Sequence, residues 1–196
     1  NENKTLNEFL TLKKYLKKKF NKTIQGKRII QIPNPKNSSL KDFKKFLKGI
    51  NINSIWGFEL IPMWHPKANF PKDYMEFFKF IEKSNKRLSI EINFAHKDNL
   101  SEFYKFYQLI SKLPNLRIIM SKLGSGIFLY NNMLNKTQKS KITLMSSAPK
   151  SLYWLNILKN KQFNSNFKIE LGTDHPFNGG TSKKIYNEFI RFKKKK

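Results

Sequence analysis

What most constrains this chain is a regular alternation. Short runs of branched and aromatic residues are each followed by an amphipathic stretch with helical spacing. Candidate strands fall at residues 28–32, 54–61, 88–94, 116–120, 141–145 and 167–172. They are short and mostly apolar, the pattern expected of strands buried on both faces. One helix separates each strand from the next, which implies parallel strands joined by right-handed crossovers. Alternation alone leaves two architectures open, a doubly wound sheet and a barrel.

The intervening segments carry helix start signals. Ser39 and Asp42 form a capping box ahead of Phe43, Phe46 and Leu47, and Gly49 closes that helix. Thr5 and Glu8 make the same signal before Phe9 and Leu10. Pro71 is expected to open a helix whose Tyr74, Phe77, Phe78 and Ile81 follow i, i+3, i+4, i+7 spacing. Asn99 and Glu102 precede another, with Phe103, Phe106, Tyr107 and Ile110 on its apolar face. Less regular helices are expected around residues 127–135, 150–160 and 181–192. Aromatic stripes at helical spacing read as core rather than as platforms for nucleic-acid bases. No composition break divides the chain, so a single domain over residues 1–196 is expected.

Hydrophobic residues make up 39% of the chain, too many for a disordered polymer despite its charge. The absence of cysteine excludes disulfides, thiolate-bound zinc and cysteine nucleophiles. No apolar run approaches the roughly 20 residues needed to cross a bilayer. Residues 1–20 are charged and amphipathic, unlike a secretory signal, so a cytoplasmic location is expected. The net charge is +26, and all but four of the 39 basic residues are lysine, the exceptions being Arg28, Arg87, Arg117 and Arg191. Scarce arginine argues against specific base readout, since arginine is the residue suited to bidentate contacts. A field this positive still attracts polyanions without regard to sequence.

In both architectures reactive groups come from the C-terminal ends of the strands and the loops beyond them. Those positions hold Glu59 and His65, then Asn93 and His96, then Lys122 with Leu123-Gly-Ser-Gly126, then Ser146 and Ser147. The last strand runs into Gly172-Thr-Asp-His-Pro-Phe177, which fixes the Asp174 carboxylate between a glycine and a proline.

Phe167-Lys-Ile-Glu-Leu-Gly-Thr-Asp-His-Pro-Phe177 resembles the eighth-strand motif of the amidohydrolase-related metal-dependent barrels of the amidohydrolase 2 type. Asn115-Leu-Arg-Ile-Ile-Met-Ser-Lys-Leu-Gly-Ser-Gly126 is similar to their sixth-strand motif, and Lys141-Ile-Thr-Leu-Met-Ser-Ser147 fits the seventh. Ile55-Trp-Gly-Phe-Glu-Leu-Ile-Pro62 and Leu88-Ser-Ile-Glu-Ile-Asn93 resemble the fourth and fifth. The resemblance implies a partial TIM-like α/β barrel of about six parallel strands, the family's third to eighth, without counterparts of the first two. It implies a hydrolase or decarboxylase relative that uses a divalent metal, zinc, and acts on a small anionic substrate.

The departures from the family pattern fall on its metal ligands. His65, His96 and His175 are the only histidines, so no His-x-His pair is present. Asn93 stands at the fifth-strand histidine position and Lys122 at the sixth. Asp174 keeps its place as the family's general base or metal ligand, with His96 as a substitute ligand. Glu59, Asn93, Lys122 and His175 are the implied substrate-binding residues, Lys122 favouring an anion. A catalytic zinc needs about three protein ligands, so the expectation is a truncated or degenerate relative. Activity is expected only if residues before Asn1 complete the site. Without the metal, Asp174 and Lys122 would form an ion pair. The competing expectation is a basic, non-catalytic protein that binds RNA or another polyanion. A six-stranded ring cannot close, so residues 1–20 or a partner chain are expected to cover the gap.

Overall fold

The computed structural model describes residues 28–92, 94, 100–146 and 167–171. Six strands are present: β1 (Arg28–Gln31), β2 (Ile55–Leu60), β3 (Arg87–Ile90), β4 (Arg117–Met120), β5 (Ile142–Ser146) and β6 (Lys168–Leu171). They form one sheet in the order β1-β2-β3-β4-β5-β6, and every pairing is parallel. Sequential order removes the ambiguity that alternation left. A doubly wound sheet reverses its strand order partway, whereas each step here moves to the next strand in the same direction. With right-handed crossovers, every connecting helix then lies on one face of the sheet. The fold is an α/β sheet of TIM-like type that is open among the described residues, with β1 and β6 at its edges.

Hydrogen-bonded register shows how the two faces differ. Phe58, Leu88, Ile118 and Ile142 form one row across the sheet, and Leu60, Ile90, Met120, Leu144 and Ile169 form another. All nine side chains are buried. The helices cover this face. Helix α1 (Leu40–Lys48) brings Phe43 to 5.8 Å from Phe58, ring centre to centre. Phe43 also lies 5.6 Å from Phe77 of α2 (Met75–Lys83). Helix α3 (Leu100–Lys112) buries Phe103 and Phe106, and Phe103 stacks on Tyr130 with ring centres 4.3 Å apart. A short helix, α4 (Lys136–Lys141), leads into β5.

The opposite face carries Gln31, Glu59, Ser89, Thr143 and Lys168 in register, with Arg87 and Glu170 nearby on the same side. The expectation of strands buried on both faces is therefore corrected. One face is apolar, and the other is mostly polar and half-exposed around a buried Ile119, as the alternation in Arg87-Leu-Ser-Ile90 and Lys168-Ile-Glu-Leu171 encodes.

This polar face is concave. Arg87 of β3 and Glu170 of β6 form an ion pair at 3.6 Å across the two intervening strands. On a flat sheet their strands alone would stand about 14 Å apart, at roughly 4.8 Å per strand. Glu170 also pairs with Lys168 at 2.6 Å, and the Arg87 guanidinium lies 5.0 Å from the centre of the Trp56 ring. Ile119, on the intervening strand β4 and the same face, is only 1% exposed. A contact across β4 and β5 requires the sheet to curl into a trough, as the wall of a barrel does.

Local signals held in part. The Ser39–Asp42 capping box forms in both directions, with Ser39 Oγ accepting from the Asp42 N–H and Asp42 Oδ2 accepting from the Ser39 N–H. Gly49 is the C-cap of α1, in right-handed geometry. Pro71 opens a 3-10 turn, Lys72–Tyr74, and the α-helix begins only at Met75. The helix expected at 127–135 is part of a 3-10 run, Lys122–Met133, in which Gly126 has φ 101°. That left-handed position admits glycine at little cost and interrupts regular α geometry. Helix α4 was not anticipated, although Asn135 and Gln138 make a capping box at its start. The helices expected at 1–20, 150–160 and 181–192 lie outside the described residues, as does any cover they provide over the sheet edges.

Gly57 gives a direct test of strand packing. A Cβ there would meet the Arg87 carbonyl oxygen at 2.7 Å, and a backbone atom in a paired strand cannot swing aside. Gly57→Ala is expected to destabilise the protein by about 1–3 kcal/mol, read as a lower denaturant midpoint.

Candidate functional site

The C-terminal ends of the strands bring several polar groups to one end of the trough. Glu59 is the penultimate residue of β2, on the concave face. Glu91 directly follows β3, and its N–H donates to the Leu60 carbonyl at 3.2 Å, extending the β2–β3 ladder by one bond. Ser121 directly follows β4, and its hydroxyl donates to Glu91 Oε2 at 3.5 Å. Lys122 begins the 3-10 run after β4, placing its backbone at the same end of the sheet. Asn93, His96, Asp174 and His175 lie outside the described residues. Of the expected site residues, Glu59 and the backbone of Lys122 are thus located at the strand ends.

The concave side carries both signs of charge, Glu59 and Glu170 with Arg87 and Lys168, in a chain with only 13 acidic residues and a net charge of +26. Glu59 and Glu170 lie on it at different levels, and Glu91 stands at its rim. Glu91, with the Ser121 hydroxyl beside it, can accept hydrogen bonds. These groups do not make a metal site. Among the described residues no group of three or more His, Asp or Glu comes together, and a catalytic zinc needs about three such donors.

The turn after β2 holds a pair that sequence reasoning passed over. The chain leaves β2 through a 3-10 turn, Pro62–Trp64, and His65 caps it. Ala68 N–H donates to the His65 carbonyl at 2.9 Å, folding the loop back towards α2. His65 Nδ1 lies 2.7 Å from the Tyr74 hydroxyl, and the two rings are within 13° of parallel. Tyr74 is fully buried. Burial, helped by the neighbouring Asp73 charge, pushes its phenol up to about 12, so it stays protonated. Burial also holds the His65 imidazole below its ordinary value of 6.5. Asp73 is tied by Lys36 at 2.8 Å and by the Asn69 N–H at 2.8 Å, and Lys36 holds its carboxyl below the usual range. The available signal was the nine-residue spacing of His65 and Tyr74 across a loop. Only the fold turns such a spacing into a contact.

The direction of the His65 shift sets a pH dependence. The unfolded chain takes up this proton near 6.5, whereas the folded chain resists it until a lower pH. The stabilisation is complete above 6.5 and is lost as pH falls through the folded value. Denaturant midpoints are expected to drop between pH 7 and pH 5, and His65→Gln is expected to flatten that slope.

Comparisons with known proteins follow the geometry. No family model matches the chain, and no curated protein does. Among solved structures, the chain is similar to a probable 2-pyrone-4,6-dicarboxylic acid hydrolase from Acinetobacter baumannii with citric acid bound. The TM-score is 0.44 and the identity 14%, over 85% of this chain and 76% of that one.

Proposed function

We propose that the chain is an amidohydrolase-like barrel relative whose metal site has degenerated and whose mouth binds a small anionic molecule. The observation carrying this reading is the order of the motifs. The segments that resemble the fourth to eighth family strands lie on β2 to β6, consecutive and parallel, so their C-terminal ends share one rim. In that reading Asp174 and Lys122 pair where the family holds its metal, and the ammonium supplies the charge that zinc once supplied. Glu59, Asn93 and His175 line the ligand, and the retained carboxylate of Asp174 is the remaining proton acceptor.

A zinc-loaded site is not part of the proposal, because Asn93 and Lys122 replace imidazoles with an amide and an ammonium. Elemental analysis of the purified chain should find well under one zinc per molecule. A double-mutant cycle with Lys122→Met and Asp174→Asn should give a coupling of roughly 0.5–3 kcal/mol in stability. Additive effects of the two substitutions, or one tightly held zinc per chain, would overturn the reading.

A second reading has one observation in its favour. Lys41, Lys44, Lys45 and Lys48 recur at i, i+3, i+4, i+7 on α1 and are exposed. Exposed lysines also stand on the other helices, at Lys79, Lys83, Lys112 and Lys136. Such scatter favours a diffuse attraction for polyanions over a shaped RNA site. Retention on heparin should fall steeply between 50 and 200 mM salt, by an order of magnitude or more in affinity, roughly as counterion release requires. Replacing the four α1 lysines by glutamine should weaken retention only in proportion to the charge removed.

A further inference from the structure

We propose that the N-terminal end of the sheet is a docking surface for the phosphodiester backbone of nucleic acid, which it holds by charge without reading the bases. This surface gives a place to the diffuse attraction for polyanions, and the proposal rests on that reading. It is independent of the amidohydrolase-like one.

Lysines are scattered around the ring of helices but charge is not uniform along its height. A helix that joins two parallel strands runs against them, so helices end where strands begin. All four described α-helices end on lysine, at Lys48, Lys83, Lys112 and Lys141. Four of the six strands open on a cation, at Arg28, Arg87, Arg117 and Lys168. These positions form two nested arcs at one end of the sheet, strand starts inside and helix ends outside. Acid gathers at the opposite end. Asp42, Glu76 and Glu102 stand in the first turns of helices, and Glu59 and Glu91 at the C-terminal ends of strands. Among the described residues, Glu82 and Glu170 are the acids nearest the basic end. Glu82 accepts from the Asn115 N–H at 2.9 Å, and Glu170 pairs with both Lys168 and Arg87.

Part of this pattern has a local cause, since lysine in a last turn complements the helix dipole. Sheets carry only small net dipoles, so the cations that open strands gain nothing from that effect. Arg87 and Arg117 are register partners on adjacent strands, where like charges repel. Glu170 offsets the first of them. The Arg117 guanidinium donates to the neutral Asn85 carbonyl, and the residue is exposed. Arginine is also rare in this chain, yet three of its four, Arg28, Arg87 and Arg117, open strands. Arginine is the side chain whose planar fork of donors matches phosphate.

Charge complementarity names the partner. From β1 to β6 the strand starts span an arc of roughly 24 Å, at about 4.8 Å per step. A row of cations of that length matches a repeating anion better than a single small one. An anionic membrane would instead favour apolar anchors beside the cations. Met63 and Trp64, the most exposed large apolar residues among those described, stand at the other end, just beyond β2.

The test is fluorescence anisotropy of a labelled oligouridylate of about 20 nucleotides, titrated with the full chain over a range of salt. Two variants remove equal charge from exposed positions. One combines Lys83→Gln, Lys112→Gln and Arg117→Gln at the basic end. The other combines Lys41→Gln, Lys67→Gln and Lys72→Gln at the opposite end. The first should weaken binding at low salt by about tenfold or more and lower the log–log salt slope by roughly 2, as the loss of three phosphate contacts requires. The second should leave the slope unchanged and the affinity within about threefold of native, because salt screens distant charges. Equal weakening by the two variants would overturn the proposal while leaving the diffuse attraction standing. No binding by the native chain at low salt would remove both. Tighter binding to phosphatidylserine vesicles than to the oligonucleotide, lost in the first variant, would assign the surface to a membrane and likewise overturn the proposal.

Discussion

Everything in this fold depends on the strands pairing in chain order. When each crossover steps to the next strand in the same right-handed sense, all helices are laid on one face. The sheet can then satisfy its apolar side against them, as the two buried rows from Phe58 to Ile142 and from Leu60 to Ile169 do. Among the described residues the other side has no helix layer of its own. In a closed barrel that side is filled by side chains from strands opposite one another. Here Arg87 and Glu170 reach across the trough and meet, so two charges on a half-exposed face are paired over a buried Ile119. A pair of this kind contributes modestly to stability, since its partners keep contact with water. It nonetheless reports the curvature, because its two strands are separated by β4 and β5.

That curvature also sorts the polar groups by height. Arg87 opens β3, whereas Glu91 and Ser121 directly follow β3 and β4. Parallel strands point all their C-terminal ends the same way, so residues far apart in the chain gather at one rim. The rim is where Glu59, Glu91 and Ser121 stand, and where the turn bearing Trp64 and His65 leaves the sheet. The concave side pairs its acids with Arg87 and Lys168, whereas the helices carry exposed lysines.

Much of this was legible in the chain. Strand positions followed from apolar runs between helical stripes, and β1, β2, β4, β5 and β6 fall within a residue or two of expectation. The Ser39–Asp42 box worked because capping is local: both partners lie within one turn, and no distant group competes for them. The helix expected at 127–135 is 3-10 as far as Met133, in a run that begins at Lys122 and holds Gly126 at φ 101°. The reading of the strands as buried on both faces failed because four- and five-residue strands give little alternation to count. Arg87-Leu-Ser-Ile90 contained the answer, but one polar residue between two apolar ones is easily taken for noise.

The sequence by itself determined the class of fold and the Ser39–Asp42 cap, and it contains neither a His-x-His pair nor a cysteine. Each of these depends on residue identity or on spacing within one or two turns. Tertiary structure decided the choice between a doubly wound sheet and a curled sequential one, which face of each strand meets the helices, and the joining of Arg87 to Glu170 and of His65 to Tyr74. Those outcomes depend on which backbone groups pair over long distances, and local propensity carries no information about that. The Tyr74 hydroxyl lies 2.7 Å from His65 Nδ1, and no pattern of residue types along a chain specifies such a distance.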